Sequence, residues 1–199
     1  MSQRDGNSTS GPLRGYRVLD FGWVLAGALP GMILADMGAE VIKVETRQRM
    51  DYMRLGRPII GDEPDPEQHP LFHNVNRGKL SISLNTTKPE AIELVKGLVP
   101  HCDIVVENFA TGVMDRLGIG EEAQHEANPN LILVSASGLG RTGPEADRVA
   151  YGTLLQCYTG FAALNGHPGR PPRVGMAWLD PMCGPVSYTH LTLPTILLV

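Results

Sequence analysis

Three absences limit what this 199-residue sequence can encode. It has only three cysteines, Cys102, Cys157 and Cys183, and no Cys-x-x-Cys pair, which argues against a disulfide framework and against a zinc site. The six histidines show no His-Glu-x-x-His or similar ligand spacing, so no metal site is expected. No run reaches the about 20 apolar residues of a membrane-spanning helix, and the polar start MSQRDGNSTSG lacks the apolar core of a signal peptide. We therefore expect a cytoplasmic globular protein.

Basic residues are too few and too scattered to suggest a nucleic-acid partner. The chain has 17 Lys and Arg against 21 Asp and Glu, which gives a net charge of −4, and no basic run stands out. A small anionic ligand is compatible with this balance, because it needs only local cations. Hydrophobic residues make up 42% and charged residues 19%, which predicts one folded domain with a sizeable core.

Short apolar runs that alternate with helical patterns indicate the fold class. Strands of a sheet that is covered on both faces read as continuous apolar segments. We place five such strands at residues 17–22, 39–45, 79–85, 103–109 and 131–138. The sequence therefore predicts a doubly wound α/β domain with a mostly parallel, Rossmann-like sheet.

The segments between these strands carry local signals of their own. Residues 47–70 are rich in Pro, Gly and charge, which predicts a long surface loop. Thr87-Lys88-Pro89-Glu90 has the spacing of a capping box, with Glu90 three residues after the Thr, and predicts the start of a helix. Residues 151–166 have the periodicity of a single amphipathic helix.

Ligands of such sheets bind beyond the carboxyl ends of the strands, and the motifs there disfavour two common classes of enzyme. The turn after the first strand reads FGWVLAG rather than Gly-x-Gly-x-x-Gly, so a dinucleotide site is poorly supported. The segment GLGRTG at 138–143 has glycines at the Gly-x-Gly-x-x-Gly spacing, but no strong helix pattern follows it. It is therefore only a weak nucleotide fingerprint. Gly-x-Ser-x-Gly is absent, which disfavours an α/β-hydrolase.

Three places allow both a structural and a functional interpretation. Asn108 and Phe109 close the fourth strand, either as an ordinary strand end or as the edge of a site with an amide and a flat ring. Arg116 is either a solvated helix cation or a phosphate ligand, for which a guanidinium is well shaped. Asp180, in the apolar run VGMAWLDPMCG, is either a buried hydrogen-bonded group or a working carboxylate.

Taken in order, the longer segments of the chain resemble one family. They are LRGYRVLDFGWVLAGALPGMILADMGAEVIKVE, NRGKLSISLN, DIVVENFATGVMDRLGIG, NPNLILVSASGLGRTGP, RVAYGTLLQCYTGFAALNG and RPPRVGMAWLDPMCG. This set, from about residue 13 to residue 184, is similar to the class III coenzyme A transferases. That superfamily includes formyl-CoA and carnitine-CoA transferases and the α-methylacyl-CoA racemases.

The resemblance implies an activity and a set of partners. Coenzyme A would be transferred between an acyl-CoA thioester and a small carboxylic acid, through mixed-anhydride and aspartyl-CoA intermediates. Coenzyme A is then a substrate, and no permanently bound cofactor, nucleic acid or membrane is expected. Full-length members form an interlocked homodimer, which is the assembly that the resemblance implies.

The resemblance also assigns roles to nine residues. Asp180, which it places at the end of a strand, is the expected nucleophile. The positions expected to contact coenzyme A are Val24, Leu25, Ala26, Arg47, Asn108, Phe109, Arg116 and Tyr151.

Three residues depart from the family pattern. Leu25 stands where formyl-CoA transferase has a Gln that helps to handle the acyl group, which suggests a larger or less polar acyl substrate. Val149 occupies the position of a phosphate-contacting Lys, although Arg148 is adjacent. Tyr151 stands where the racemases have a catalytic His, which favours a transferase over an acyl-CoA racemase or epimerase. A truncated, non-catalytic CoA-binding fragment is a further alternative.

The resemblance also predicts boundaries within the chain. Residues 1–12 are expected to be a flexible arm, and residues 13–184 the N-terminal part of the large domain. Residues 185–199, PVSYTHLTLPTILLV, do not resemble the family's continuation and are expected to be a non-native tail. The family's second, small domain is expected to be absent.

Overall fold

The computed structural model describes residues 10–55 and 57–192, and at its centre is a five-stranded parallel sheet. The strands are β1 Arg17–Asp20, β2 Glu40–Glu45, β3 Leu80–Ser83, β4 Ile104–Glu107 and β5 Ile132–Ser135. Their order across the sheet is β3-β2-β1-β4-β5, and every neighbouring pair is parallel. The connections therefore change direction between β1 and β4, which is where open α/β sheets form a ligand crevice.

Helices follow the strands in alternation. They are α1 Val24–Asp36, α2 Pro70–Asn76, α3 Pro89–Leu98, α4 Val113–Arg116, α5 Glu121–Ala127, α6 Gly152–Tyr158 and α7 Leu179–Thr192. Short 3₁₀ turns lie at Tyr52–Arg54, Val99–His101 and Phe161–Leu164. Within the described part of the chain, no helix is long and apolar enough to cross a membrane.

The sheet is buried on both faces, which explains why its strands read as continuous apolar runs. Val18 and Leu19 are adjacent in β1 and point to opposite faces, and both are fully buried. Leu19 belongs to a cluster that includes Val95 of α3, whereas Val18 belongs to a second cluster that includes Leu34 of α1. The predicted doubly wound α/β architecture is confirmed, and each of the five predicted strands contains an observed one.

Two local expectations were wrong, each because another local interaction takes over. The Thr87 hydroxyl donates to the Asn85 Oδ1 atom at 2.7 Å rather than capping a helix. Lys88 is the N-cap residue of α3 and makes no side-chain cap bond. The single helix expected over 151–166 ends at Tyr158, because Gly160 adopts a left-handed φ of 76°. The predicted loop 47–70 is interrupted by a 3₁₀ turn, and α2 begins at Pro70, the last residue of that range.

Helix α7 bears on the boundaries expected from the sequence. It continues through Gly184, where a Cβ atom would lie 2.7 Å from the Leu29 Cβ atom of α1, and it is described as far as Thr192. Tyr188 and Leu191 pack against the core cluster around Val18. The non-native origin of residues 185–199 stays a prediction, and residues 193–199 lie outside the described part of the chain. Residues 1–9 of the predicted arm also lie outside it.

A buried ion pair lies between α1 and β1. The Lys79 ammonium is 2.6 Å from the Asp20 Oδ2 atom, and it also donates to the Ala28 carbonyl oxygen at 2.7 Å and the Asn76 Oδ1 atom at 2.9 Å. Burial lowers the pKa of Lys79, and the Asp20 carboxylate opposes that effect. Because both side chains are almost completely buried, each depends on the other for its counter-charge.

Substituting Gly31 tests this packing. A Cβ atom at Gly31 would overlap the Asp20 carboxylate, so we expect Gly31→Ala to lower the free energy of unfolding by about 2 kcal/mol or more. The matched control is Gly97→Ala in α3, where a Cβ atom would meet nothing within 4 Å and a gain of about 0.5 kcal/mol is expected. Urea unfolding measures both, and equal stability of the two variants would contradict this packing.

Candidate active site

A cleft of about 290 Å³ opens at the carboxyl ends of β1 and β4, where the strand order reverses. Six of the nine residues named from the sequence line it: Val24, Ala26, Asn108, Phe109, Tyr151 and Asp180. These come from four separate stretches of sequence, which the parallel sheet brings to one edge. The fold therefore brings six of the nine named residues to one cleft.

Three of the named residues are not among the described residues that line the cleft: Leu25, Arg47 and Arg116. Leu25 is half-buried in the first turn of α1. The Arg47 side chain is 79% exposed, and its Nη2 atom is 4.0 Å from the Glu67 Oε1 atom. Arg116 is exposed at the end of α4. Their predicted contacts stay predictions.

The turn between β1 and α1 is held by Asn108 at the end of β4. The Trp23 amide donates to the Asn108 Oδ1 atom at 2.8 Å, and the Asn108 Nδ2 group donates to the Trp23 carbonyl oxygen at 2.9 Å. Any side chain at Gly27 would overlap the Asn108 amide, so glycine is required there. Asn108 therefore joins the two strand ends that form the walls of the cleft.

Backbone strain is localised in the same turn. Val24 opens α1 with φ of 57°, and it is the one non-glycine residue with positive φ in the described chain. This conformation costs a β-branched residue about 1–3 kcal/mol. The surrounding structure must supply that energy, and the Val24 side chain lines the cleft as a result.

Aromatic rings form one wall of the cleft. Phe109 and Tyr52 both make edge contacts with Trp23, at centroid distances of 6.0 and 6.3 Å. The Arg49 guanidinium carbon lies 5.1 Å from the centre of the Trp23 ring, within range of a cation–π contact. Sequence reasoning missed Trp23, Arg49 and Tyr52, although Trp23 stands in the strand-end turn FGWVLAG and Arg49 is two residues from Arg47.

A buried carboxylate fixes the position of Phe109. Glu107 is only 2% exposed, and its Oε2 atom accepts the Phe109 amide at 2.8 Å. Arg141 and Ser135 both donate hydrogen bonds to the Glu107 Oε1 atom, and Arg141 also donates to the Phe109 carbonyl oxygen at 3.1 Å. The glycine-rich segment 138–143 therefore supplies a cation to this carboxylate, which gives it a structural role.

Asp180 is the one acidic side chain among the described residues that line the cleft. It lies in the first turn of α7 and accepts a hydrogen bond from the Gly152 amide at the start of α6. A Cβ atom at Gly152 would lie 2.7 Å from the Asp180 Oδ1 atom, so only glycine lets the carboxylate come this close. The resemblance places this Asp at a strand end, whereas here it is helical, because Leu179–Thr192 forms one helix.

The electrostatics of Asp180 differ from those of a solvated carboxylate. Burial raises the pKa of Asp180, and the hydrogen bond from the Gly152 amide partly opposes the shift. One turn further along α7, burial and then the Asp180 charge raise the pKa of the Cys183 thiol. The thiol form of Cys183 is therefore favoured beside the Asp180 carboxylate. Residues 10–55 and 57–192 contain no group of three or more His, Cys, Asp or Glu side chains that could hold a metal ion.

Comparison with known proteins shows the family to which the chain belongs. A family model described as CoA-transferase family III matches residues 13–191, a range that extends past Gly184. The chain is 40% identical over 183 residues to a succinate–glutarate CoA-transferase of Agrobacterium fabrum, covering 90% of this chain and 46% of the relative. It is 43% identical over 169 residues to a succinyl-CoA–D-citramalate CoA-transferase of Chloroflexus aurantiacus, covering 83% of this chain and 40% of the relative.

A solved structure shows the same relationship in three dimensions. The crystal structure of a CAIB/BAIF family protein from Brucella suis matches with a TM-score of 0.82 and 37% sequence identity. The match covers 91% of this chain and 48% of that chain. The chain therefore spans less than half the length of the relatives to which it is similar.

Replacing Asn108 tests the link between the two strand ends. Asn108→Ala removes both hydrogen bonds to Trp23 and leaves the backbone N–H and C=O groups of Trp23 unpaired. We therefore expect a loss of about 1–3 kcal/mol in unfolding free energy. Asn130→Ala is the control, because Asn130 is exposed in the turn before β5. Thermal or urea unfolding compares the two, and an Asn108 variant as stable as the Asn130 variant would refute the proposed link.

Proposed function

The chain belongs to CoA-transferase family III, and from this premise we propose that it transfers coenzyme A from an acyl-CoA thioester to a carboxylic acid. The observation that carries the proposal is the position of Asp180, the one carboxylate in the described lining of the cleft. A half-buried carboxylate beside a protonated thiol suits nucleophilic attack by oxygen. The names of the relatives, which are CoA-transferases, support the same activity.

The proposed binding mode follows the walls of the cleft. Coenzyme A lies along the turn that contains Val24 and Ala26, with Asn108 and Phe109 at the opposite strand end. Its phosphates need cations, and two guanidinium groups of the described lining are available, those of Arg49 and Arg148. The aromatic wall around Trp23 offers a flat surface for the adenine ring.

The proposed reaction uses Asp180 twice. Its carboxylate attacks the thioester carbonyl carbon, the carbon–sulfur bond breaks, and the products are a mixed anhydride and a CoA thiolate. The thiolate then attacks the aspartyl carbonyl carbon, which releases the donor carboxylate and leaves an aspartyl-CoA thioester. The acceptor carboxylate attacks this thioester and releases the thiolate again. Attack of that thiolate on the acceptor acyl carbon gives the new acyl-CoA and regenerates Asp180.

Partial burial of Asp180 serves this sequence of steps. Desolvation disfavours the ionised carboxylate, and this effect raises the pKa of Asp180. Because the ionised form is poorly solvated, it is a stronger nucleophile than a carboxylate in water. The Gly152 amide favours the ionised form of the carboxylate. Both covalent intermediates hydrolyse in water, so the apolar lining around Asp180 also protects them.

We propose that the acid substrates are small dicarboxylic acids. The relatives include transferases named for succinate and glutarate, for D-citramalate and for oxalate. A second carboxylate would find a cation in the same cleft, at Arg49 or Arg148. Leu25 in place of the formyl-CoA transferase Gln is consistent with an acyl group larger than formyl.

Assembly, location and the competing reaction rest on the resemblance. We propose an interlocked homodimer in the cytoplasm for the full-length protein. An acyl-CoA racemase would also use an acidic group near the thioester, but Tyr151 lines the cleft where racemases have a His. Deuterium uptake from solvent at the α-carbon without an acceptor acid would identify a racemase, and CoA binding without exchange would identify a non-catalytic fragment.

Removing the Asp180 carboxylate is the direct kinetic test. Asp180→Asn should lower the rate of CoA transfer by on the order of 10³-fold or more, because the amide cannot form the anhydride. Asp147→Asn is the matched control, since Asp147 is exposed and outside the described lining. A chromatographic assay of acyl-CoA exchange measures both. An Asp180 variant that retains the rate of the control would rule out the proposed nucleophile.

Substituting two arginines in turn tests which of them contacts the substrate: Arg47, expected from the sequence, or Arg49, which lines the cleft in the structure. Arg49→Ala should raise the KM for an anionic substrate by about tenfold, because Arg49 lines the cleft, whereas Arg47→Ala should change it less than twofold. Steady-state kinetics with acyl-CoA and acid varied in turn assigns the affected substrate. A larger effect at Arg47 would instead favour the contact expected from the sequence.

A further inference from the structure

Asp51, a residue that neither the motifs nor the proposed mechanism uses, lies behind the wall of the cleft. We propose that Asp51 is a positioning residue, whose buried carboxylate holds Val24 in its left-handed conformation and ties that turn to the segment that carries Tyr52. The inference rests on the proposed function for what the cleft binds, namely coenzyme A. The conformation of Val24 can be measured without any ligand.

The carboxylate of Asp51 joins two segments of the wall. The Val24 amide lies 3.1 Å from both the Oδ1 and the Oδ2 atom of Asp51, and the Met53 amide donates to the Oδ1 atom at 2.9 Å. Asp51 is fully buried, so water does not compete for these bonds. Val24 and Tyr52, on either side of this carboxylate, both line the cleft.

A buried lysine completes the support. The Lys43 ammonium lies 3.8 Å from the Asp51 Oδ2 atom and donates to the Gly22 carbonyl oxygen at 2.5 Å. Lys43 therefore neutralises Asp51 and also contacts the same turn two residues before Val24. Both side chains are at most 2% exposed, so the pair is desolvated and held in one geometry.

The residue type at position 24 indicates that the Asp51–Lys43 pair helps to shape the lining of the cleft. A turn that needed only a positive φ would use glycine, which adopts it without strain, as Gly38 does at the end of the same helix with φ of 99°. At position 24 the chain has a strained Val, together with a buried charge pair that stabilises the strain. The result is an apolar side chain in the lining of the cleft, fixed relative to Tyr52.

A double-mutant cycle tests this role. Asp51→Asn should weaken binding of coenzyme A to the chain, measured by calorimetry, by about tenfold, which is about 1.4 kcal/mol. Asn offers one acceptor oxygen and no charge, so it supports the Val24 amide poorly. In a Val24→Gly background the same change should cost less than about threefold, because glycine needs no support. An equal loss of affinity in both backgrounds would overturn the proposal.

A second measurement does not depend on ligand. Backbone chemical shifts and the amide–Hα coupling of residue 24 should report a left-handed conformation in the wild-type chain and its loss in Asp51→Asn. If Asp51→Asn does not fold, the double variant with Val24→Gly should fold. An unchanged residue 24 in Asp51→Asn, or failure of both variants to fold, contradicts the proposal.

Val95→Ala is the control for general destabilisation. Val95 is buried in α3, and its truncation should lower stability while leaving the backbone of residue 24 and the affinity for coenzyme A unchanged. An equal effect of Val95→Ala on both readouts would overturn the specific role of Asp51. A wild-type chain that binds no coenzyme A would refute the proposed function, and the shifts of residue 24 would still decide the role of Asp51.

Discussion

The cleft depends on the pairing of β1 with β2 on one side and β4 on the other. Because the chain leaves the ends of β1 and β4 in opposite directions, a gap opens between the two connections. The Asn108 amide sets its width, since it pairs with both backbone groups of Trp23 across 85 residues of sequence. All of the proposed chemistry takes place above this junction.

Buried charges stabilise the walls of the cleft where apolar packing cannot. The apolar clusters hold the sheet between its helices, but the turns after the strands need hydrogen bonds of fixed direction. Three carboxylates supply them: Asp20 accepts the Gly22 amide, Asp51 the Val24 amide and Glu107 the Phe109 amide. Each has a cationic partner, Lys79, Lys43 and Arg141 respectively, so desolvation is compensated by pairing. The same arrangement recurs at both strand ends.

The strands and the fold class can be predicted from the sequence more reliably than the side-chain contacts in the cleft. Buried parallel strands need apolar runs, so the five strands and the fold class could be predicted from the positions of those runs in the sequence. The capping box failed because Asn85 competes locally for the Thr87 hydroxyl. Asp180 could be assigned only through the family resemblance, since its own context also suits a structural carboxylate. The contact of Arg49 with Trp23 depends on how the loop after β2 packs against the turn after β1. No local sequence pattern predicts that packing.

The proposed function depends on covalent acylation of Asp180 during transfer. The most direct measurement is to incubate the protein with an acyl-CoA and hydroxylamine, digest it, and analyse the peptides by mass spectrometry. Hydroxylamine attacks an aspartyl thioester or anhydride, so we expect a hydroxamate on the peptide that contains Asp180, formed only when acyl-CoA is present. A hydroxamate on a different carboxylate, or none while transfer proceeds, would contradict the account.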